Sequence, residues 1–147
     1  MKKFSFKLQT VLNMKIQMEN DAKNKLGQAI QKYENEKNTL QRFIKQSDDS
    51  MEEMRNAFKK EINIVGIRGY STYISHLSKK IEVQQENVET ANQNVNRQRE
   101  KLVAILKERK ALDKLHDKKY ELYLREQSLE EQKLIDEITS FKYSVNN

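Results

Sequence analysis

Few residues in this chain are of the types that perform catalytic or metal chemistry. The two histidines, His76 and His116, lie 40 positions apart in a sequence without cysteine. Neither has a histidine or an aspartate four residues away, the spacing that would place two metal ligands on one face of a helix. His116 has Asp113 three residues before it, which is a common spacing in any charged helix. We therefore expect no metal site and no catalytic role for either histidine.

Carboxylate pairs and glycines give no stronger indication of an active site. The neighbouring acids Asp48–Asp49 and Glu52–Glu53 lie in a polar stretch, where we expect solvated charge on a helix surface. Gly66 and Gly69 are not followed by the GK[ST] sequence of a phosphate-binding loop. The sequence therefore predicts a protein that is not an enzyme and needs no cofactor.

Nucleic-acid binding is also disfavoured by the order of the charges. The densest basic stretch, residues 101–119, is interrupted by Glu108, Asp113 and Asp117. It has no aromatic residue until Tyr120, whereas proteins that follow a phosphate backbone combine continuous positive charge with stacking rings. We expect this stretch to be a solvated or protein-binding helix face.

Composition restricts the fold to helices or disorder. The 147 residues include no proline and only three glycines, too few for the turns of an all-β domain. Charged residues make up 34% and hydrophobic residues 36%, with a net charge of +6. No secretory leader and no apolar run of 18 residues occurs, so we expect a cytosolic protein that does not enter a membrane.

Apolar residues follow a heptad pattern in both halves of the chain, which favours a coiled coil over disorder. From Leu12, alternate steps of four and three give 14 positions, of which ten are apolar. The 14 positions are Leu12, Ile16, Glu19, Lys23, Leu26, Ile30, Tyr33, Lys37, Leu40, Ile44, Ser47, Met51, Met54 and Phe58. A second series from Tyr70 to Ile105 has nine apolar residues in 11 positions. Beyond it we predict a register slip, with the seam continuing at Leu115, Leu122 and Leu129.

The break between the two series predicts a hairpin. Residues 62–72 contain Gly66, Gly69 and a β-branched cluster, which favour a loop, and Ser71 or Thr72 could cap the following helix. We predict an all-α fold, a long antiparallel two-helix coiled-coil hairpin forming one domain over residues 1–147. Helix one would span about 4–61, the turn about 62–70 and helix two about 71–140, followed by a frayed tail.

Two local features have alternative interpretations. Folding about residue 66 places Phe4 near residue 128, where a lysine-rich start would face the acidic segment 120–141; both could equally be ordinary charged helix ends. Residues 62–77 contain Arg68 as their only charged residue, together with Tyr70 and Tyr73. This low-charge patch could be a binding surface or could pack the turn.

Three segments resemble the FliJ family of flagellar type III export proteins. The opening has that family's F-x-F/Y-x-L-x-x-VL pattern, and GYSTYISHLSKKIEVQQ early in helix two is also similar. The stretch over residues 108–137 resembles the family's usual ending. The matching residues are Phe4, Phe6, Leu8, Val11, Leu12, Glu19 and Ala22 at the start, and Glu108, Arg109, Lys110, Leu112, Leu115, Tyr123, Lys133, Asp136 and Glu137 at the end.

The resemblance implies an export function without catalysis. Such proteins are antiparallel two-helix coiled coils similar to the central stalk of rotary ATPases. They bind the hexameric export ATPase ring, link it to the large export-gate membrane protein and recruit export chaperones. The expected location is the cytoplasm, at the inner face of the cell membrane below the flagellum. The resemblance leaves open whether the chain serves a flagellar or a related injection-type export system. It also leaves open whether the chain is a monomer or a dimer.

The resemblance also implies two binding regions. For the ATPase end these are Phe4, Phe6, Leu8, Arg109, Leu112, Leu115, Tyr123, Asp136 and Glu137. For the gate, Tyr73 and Leu77 match a family pattern of an aromatic residue followed by leucine, although packing within the seam is an alternative role. Lys80 and Gln84 occupy the next two positions, where another member has a small apolar residue and a histidine. A generic coiled-coil tether or chaperone unrelated to export is the alternative function.

Overall fold

The computed structural model describes residues 2–60 and 64–146. They form two α-helices, α1 at Gln9–Phe58 and α2 at Ile64–Val145, of 50 and 82 residues. No strand occurs within these ranges, so the prediction of an all-α fold is confirmed. Over the same residues, neither helix contains a segment apolar enough and long enough to cross a membrane.

Both helices run through two compact units. The terminal unit contains described residues 2–20 and 103–146, and the middle unit contains 21–60 and 64–102. The prediction of a single domain over 1–147 stays a prediction.

Within each unit, α1 packs antiparallel to α2. In the terminal unit the carbonyl of Lys2 meets Tyr123, whereas Lys15 further along meets Glu108. In the middle unit Glu36 meets Gln84, and Phe43 lies under the ammonium of Lys80. In both units, a residue with a higher number on α1 contacts a residue with a lower number on α2, as expected for antiparallel helices. The predicted antiparallel two-helix hairpin is therefore confirmed.

The first helix is shorter than predicted at both ends. It begins at Gln9, not at Phe4: residues 2–6 have no regular secondary structure, and residues 7–8 form a turn in which the amide of Gln9 donates to the carbonyl of Phe6 at 3.0 Å. It ends at Phe58, after which the amide of Lys59 donates to the carbonyl of Asn56 at 3.2 Å and tightens the last turn. The predicted end at residue 61 lies outside the described residues.

The second helix is longer than predicted at both ends. It starts at Ile64, so residues 64–70 of the predicted turn are helical, and the cap at Ser71 or Thr72 is wrong. Residues 61–63, with the beginning of that turn, lie outside the described residues. No described glycine has a positive φ, and the cost of about 1 kcal/mol for a glycine in a helix does not interrupt α2. The tail predicted to fray after residue 140 is helical to Val145, since neither glycine nor proline stops it.

The buried seam of α1 shares only half of the predicted positions. Leu12, Glu19, Leu26, Tyr33, Leu40, Ser47 and Met54 are buried or half-buried, as predicted. The second line of the seam differs from the prediction by one residue: it consists of Lys15, Ala22, Ala29, Glu36, Phe43, Ser50 and Ala57, all buried or half-buried. The predicted second line lies one residue further along, and of its members only Lys37 is half-buried. Alanine and serine allow the two helices to approach closely, which places the larger Ile16, Ile30 and Ile44 beside the seam.

The buried seam of α2 runs without a slip. Every predicted position from Tyr70 to Ile105 is buried or half-buried, and the same steps continue through Arg109, Leu112, His116 and Tyr123, with the exposed Lys119 as the one exception. Leu115, Leu122 and Leu129 are exposed, so the predicted slip is wrong. The seam keeps its period there because Arg109 has an acidic partner on α1 and the last rings pack against the N-terminal segment.

Candidate protein-binding site

Residues 2–8, the N-terminal segment, are held on α2 by a cluster of aromatic rings. The ring of Phe4 meets His116 and Tyr120 edge-on, with centroids 5.3 and 5.1 Å apart, and lies 5.5 Å from Tyr123. Phe6 lies 5.2 Å from the same His116 ring. The hydroxyl of Tyr123 donates to the carbonyl oxygen of Lys2 at 2.5 Å. Aromatic pairs of this geometry each contribute about 0.5–1.5 kcal/mol beyond their buried area, so together they fix a segment that has no helix of its own.

An open groove of about 660 Å³ lies between the N-terminal segment and α2, and we call it the terminal groove. Five residues predicted for the ATPase end line it, namely Phe4, Phe6, Leu8, Leu115 and Tyr123. Leu122, which the sequence placed in the helix seam, is also part of its wall. The structure thus brings residues from the two ends of the sequence into one concave surface that contains six apolar or aromatic side chains.

Opposite charges line the same groove. Lys2, Lys3 and Lys7 come from the N-terminal segment, and Lys119, Glu126 and Glu130 come from α2. Phe4 packs against residues 116–123 and not beside residue 128, because α2 already begins at Ile64, before the predicted fold point at residue 66. The groove therefore offers a partner apolar side chains together with charges of both signs.

The other four residues predicted for the ATPase end lie outside the terminal groove. Arg109 forms an ion pair with Glu19 of α1, and its Nη1 lies 2.6 Å from Oδ2 of Asp113. Leu112 is half-buried in the seam. Asp136 accepts a hydrogen bond from Gln132 at 3.2 Å, and it lies with Glu137 in the stretch 128–145 of α2, where every residue is exposed.

The two residues predicted for the gate differ sharply in exposure. Leu77 is only 2% exposed, the most buried large side chain among the described residues, so its packing between the helices is clear. Tyr73 is 47% exposed and is available to a partner. Their role in gate binding stays a prediction, with Tyr73 the residue that a partner could reach.

The two neighbouring positions also have partners within the middle unit. The ammonium of Lys80 lies 5.5 Å from the centroid of the Phe43 ring. Gln84 is buried, donates to the carbonyl oxygen of Glu36 at 2.9 Å and contacts the carboxylate of the same residue. Asn87 donates to the side-chain oxygen of Gln84 at 3.1 Å. These contacts give both residues a packing role.

Two members of the aromatic cluster were not predicted as site residues. His116 was considered only for metal or catalytic chemistry, and Tyr120 only for the absence of rings before it. Their spacing could have identified them, because positions 116, 120 and 123 share one face of a helix. Among the described residues, no group of three or more histidine, aspartate or glutamate side chains is arranged to hold a metal ion.

Replacing Tyr123 with phenylalanine should loosen the N-terminal segment without unfolding the helices. The change removes the hydrogen bond to the Lys2 carbonyl but keeps the ring beside Phe4. We expect a loss of about 1 kcal/mol or less in unfolding free energy. Amide hydrogen exchange should accelerate over residues 2–8, while α2 should exchange as before. Unchanged exchange at residues 2–8 would show that this hydrogen bond does not hold the segment.

Comparison with models of protein families gives a match to the flagellar FliJ protein over residues 4–147. The match extends over essentially the whole chain and includes both sides of the terminal groove. This chain belongs to the FliJ family. The family is a non-catalytic component of the flagellar export apparatus, so the resemblance noted in the sequence is confirmed. A search of the curated proteins and a search of the solved structures return no match to the chain.

Proposed function

We propose that this FliJ-family chain is a stalk-like coiled coil that binds the hexameric export ATPase ring with its terminal unit and links the ring to the large export-gate membrane protein. The observation that carries the proposal is the terminal groove, one surface formed by the N-terminal segment and by residues between 115 and 130 of α2. The match to the family extends over nearly all of these residues. The protein acts by binding and has no catalytic step of its own.

The terminal groove has the chemistry of a protein-binding surface. Its apolar residues Leu8, Leu115 and Leu122 are 38%, 37% and 50% exposed. The wall formed by the N-terminal segment carries only lysines, whereas the α2 wall carries Glu126 and Glu130 together with Lys119. Such a charge distribution specifies the orientation of a partner more than it adds affinity. An exposed apolar concavity bordered by charge is typical of surfaces that bind other proteins.

Gate binding is assigned to the face of α2 that carries Tyr73. Exposed aromatic residues are over-represented among those that dominate binding energy, and Tyr73 is the accessible member of the predicted pair. Recruitment of export chaperones, and a position in the cytoplasm at the inner face of the membrane below the flagellum, complete the proposed role. In this role the chain needs no cofactor and contacts no nucleic acid.

Co-purification of the tagged full chain with the ATPase and the gate protein tests this assignment. Tyr73→Ala should reduce retained gate protein by about tenfold and leave retained ATPase unchanged, since this residue lies outside the terminal unit. Leu77→Ala should instead lower the unfolding free energy by about 2–4 kcal/mol, because it leaves a cavity in the seam.

Val103→Ala is the matched control, because it removes an exposed apolar side chain from the same helix outside the unit that contains Tyr73. If Tyr73→Ala retains as much gate protein as the control does, the gate assignment is wrong. If the unchanged chain retains neither the ATPase nor the gate protein, the export role is wrong and a generic tether becomes the better hypothesis.

A further inference from the structure

A line of large apolar side chains stays exposed along α1 in the middle unit. Ile30, Ile44, Met51 and Phe58 are 37%, 39%, 36% and 54% exposed, and they lie seven or 14 residues apart. Residues at multiples of seven lie on nearly the same side of a helix, so these four form one stripe, which we call the α1 stripe. Each member directly follows a buried or half-buried residue of the seam, and the stripe therefore runs along the edge of the helix pair.

From residue 78 to residue 92, the corresponding line of α2 is polar but uncharged. Ser78, Gln85 and Asn92 directly follow the buried Leu77, Gln84 and Ala91. In an antiparallel helix pair, lines of this kind border the seam on the same side. The groove on the opposite side supports this placement, because it is lined by Lys32, Asn87 and Asn94, which each precede a seam residue. The α1 stripe and the uncharged line of α2 thus form one face, which we call the stripe face.

Acidic side chains border the stripe face. Glu34 and Asp48 lie four residues after Ile30 and Ile44, and Glu82 and Glu89 lie four residues after Ser78 and Gln85. All four acids are exposed. The equivalent positions within 27–55 and 75–96 contain a single base, Arg55. An acidic border is unexpected in a chain with a net charge of +6, so the charge is arranged by face.

Lys37 occupies the stripe position between Ile30 and Ile44, but its charge is directed along α1. Its ammonium lies 3.6 Å from Oε1 of Glu34 and 4.9 Å from the centroid of the Tyr33 ring. Its aliphatic stem can therefore extend the apolar line while the ammonium contacts neighbours on its own helix. The stripe then extends from Ile30 to Phe58, about 42 Å at the helical rise of 1.5 Å per residue.

We propose that the stripe face binds an amphipathic α-helix of a partner protein whose apolar stripe is bordered by lysine or arginine. Such a helix would pack its apolar side chains against the α1 stripe in the shallow groove that α1 and α2 form, and would place its cations beside Asp48, Glu82 and Glu89, since Glu34 already pairs with Lys37. A second copy of this chain is disfavoured as the occupant, because it would bring the same acids against the border. The face is distinct from the proposed gate surface, since Tyr73 precedes the half-buried Ile74 and lies on the other side of the seam.

Two synthetic helical peptides of three heptads test the proposal with the full chain. Both have leucine at the first and fourth positions of each heptad, and their border positions are all lysine in one peptide and all glutamate in the other. Fluorescence anisotropy of labelled peptide measures binding at about 0.15 M salt, where long-range attraction is screened. The lysine peptide should bind about tenfold more tightly than the glutamate peptide. The net positive charge of the chain would by itself produce the opposite order.

Variants then locate the binding. Ile44→Gln combined with Met51→Gln should weaken binding of the lysine peptide by about tenfold. Val83→Gln is the matched control, because Val83 is an exposed apolar residue that lines a groove with Lys80 on the other side of the seam. Circular dichroism should be the same for all three chains, since the changed side chains are exposed.

The proposal is overturned by any of three results. The peptides could bind equally, the glutamate peptide could bind more tightly, or the double variant could bind like the control. Light scattering adds a further test: a dimer of the unchanged chain that the double variant dissociates would identify a second copy as the occupant. None of these results affects the assignment of the terminal groove, which co-purification with the ATPase tests separately.

Discussion

Replacing Phe4 and Phe6 together with alanine should release the export ATPase while leaving both helices intact. The two rings hold the N-terminal segment on α2 through His116, Tyr120 and Tyr123, and they form part of the wall of the terminal groove. Without them the segment loses its main apolar contacts, so one wall of the groove is no longer fixed. We expect retained ATPase in co-purification to fall by about tenfold or more. Helicity should be unchanged, because both residues precede the first residue of α1.

Met14→Ala is a suitable control for this variant. Met14 is an apolar residue of the terminal unit that is 52% exposed, and it does not line the terminal groove. The control should retain the ATPase as the unchanged chain does. If the double variant also retains it in full, while hydrogen exchange shows that residues 2–8 have been released, then the groove is not the ATPase contact.

Periodicity was sufficient to predict the hairpin but not the exact faces that pack. Along α2, apolar residues at the seam positions from Tyr70 to Ile105 outnumber the polar ones so strongly that the prediction was right at every position. Along α1, two adjacent lines compete, and the apolar Ile16, Ile30 and Ile44 suggested the wrong one. The seam instead uses Ala22 and Ala29, since small side chains let the helices approach closely. Counting apolar residues does not detect that advantage.

The N-terminal segment was predicted to be helical, although its apolar residues occur at every second position. Phe4, Phe6 and Leu8 were correctly placed together, and the terminal groove brings them into one surface with Leu115 and Tyr123. The prediction continued the helix back to Phe4, whereas residues 2–6 have no regular secondary structure and residues 7–8 form a turn.

Contacts between distant residues were the least predictable part of the site. The partners of Phe4 depend on where the chain reverses, and placing the turn too late moved its expected neighbour to residue 128. In an antiparallel pair, a shift of the turn by a few residues changes every partner on the opposite helix by twice that number. The pairing of Glu19 with Arg109 has the same origin, and no local pattern in the sequence indicates it.

Replacing Arg109 with leucine should destabilise the terminal unit by about 2–3 kcal/mol, somewhat less than the 3–5 kcal/mol typical of a fully buried pair. The Nε of Arg109 contacts the carboxylate of Glu19, and only 9% of the Glu19 side chain is exposed. Leucine leaves that carboxylate buried without its guanidinium partner, whereas the Arg109 side chain was itself 24% exposed and less fully desolvated. Urea unfolding followed by circular dichroism measures the change. Asp113→Asn should lower the unfolding free energy by less than about 1 kcal/mol. The carboxylate of Asp113, the second one that pairs with Arg109, is exposed.

The double variant Glu19→Leu, Arg109→Leu separates stability from specificity. Removing both charges restores an apolar layer, so the unfolding free energy should return to within about 1 kcal/mol of the unchanged chain. The ion pair of Glu19 with Arg109 also favours the observed register of α1 against α2. A slip of one heptad would place Glu19 against Leu102 or His116 in place of Arg109. Since the chain has no cysteine, spin labels on single cysteines introduced at positions 15 and 108 can report the register. A slip would change their separation along the helix axis by about 10 Å. We expect one distance in the unchanged chain and several in the double variant; equal stability of the single and double variants, with one distance in both, would contradict this role.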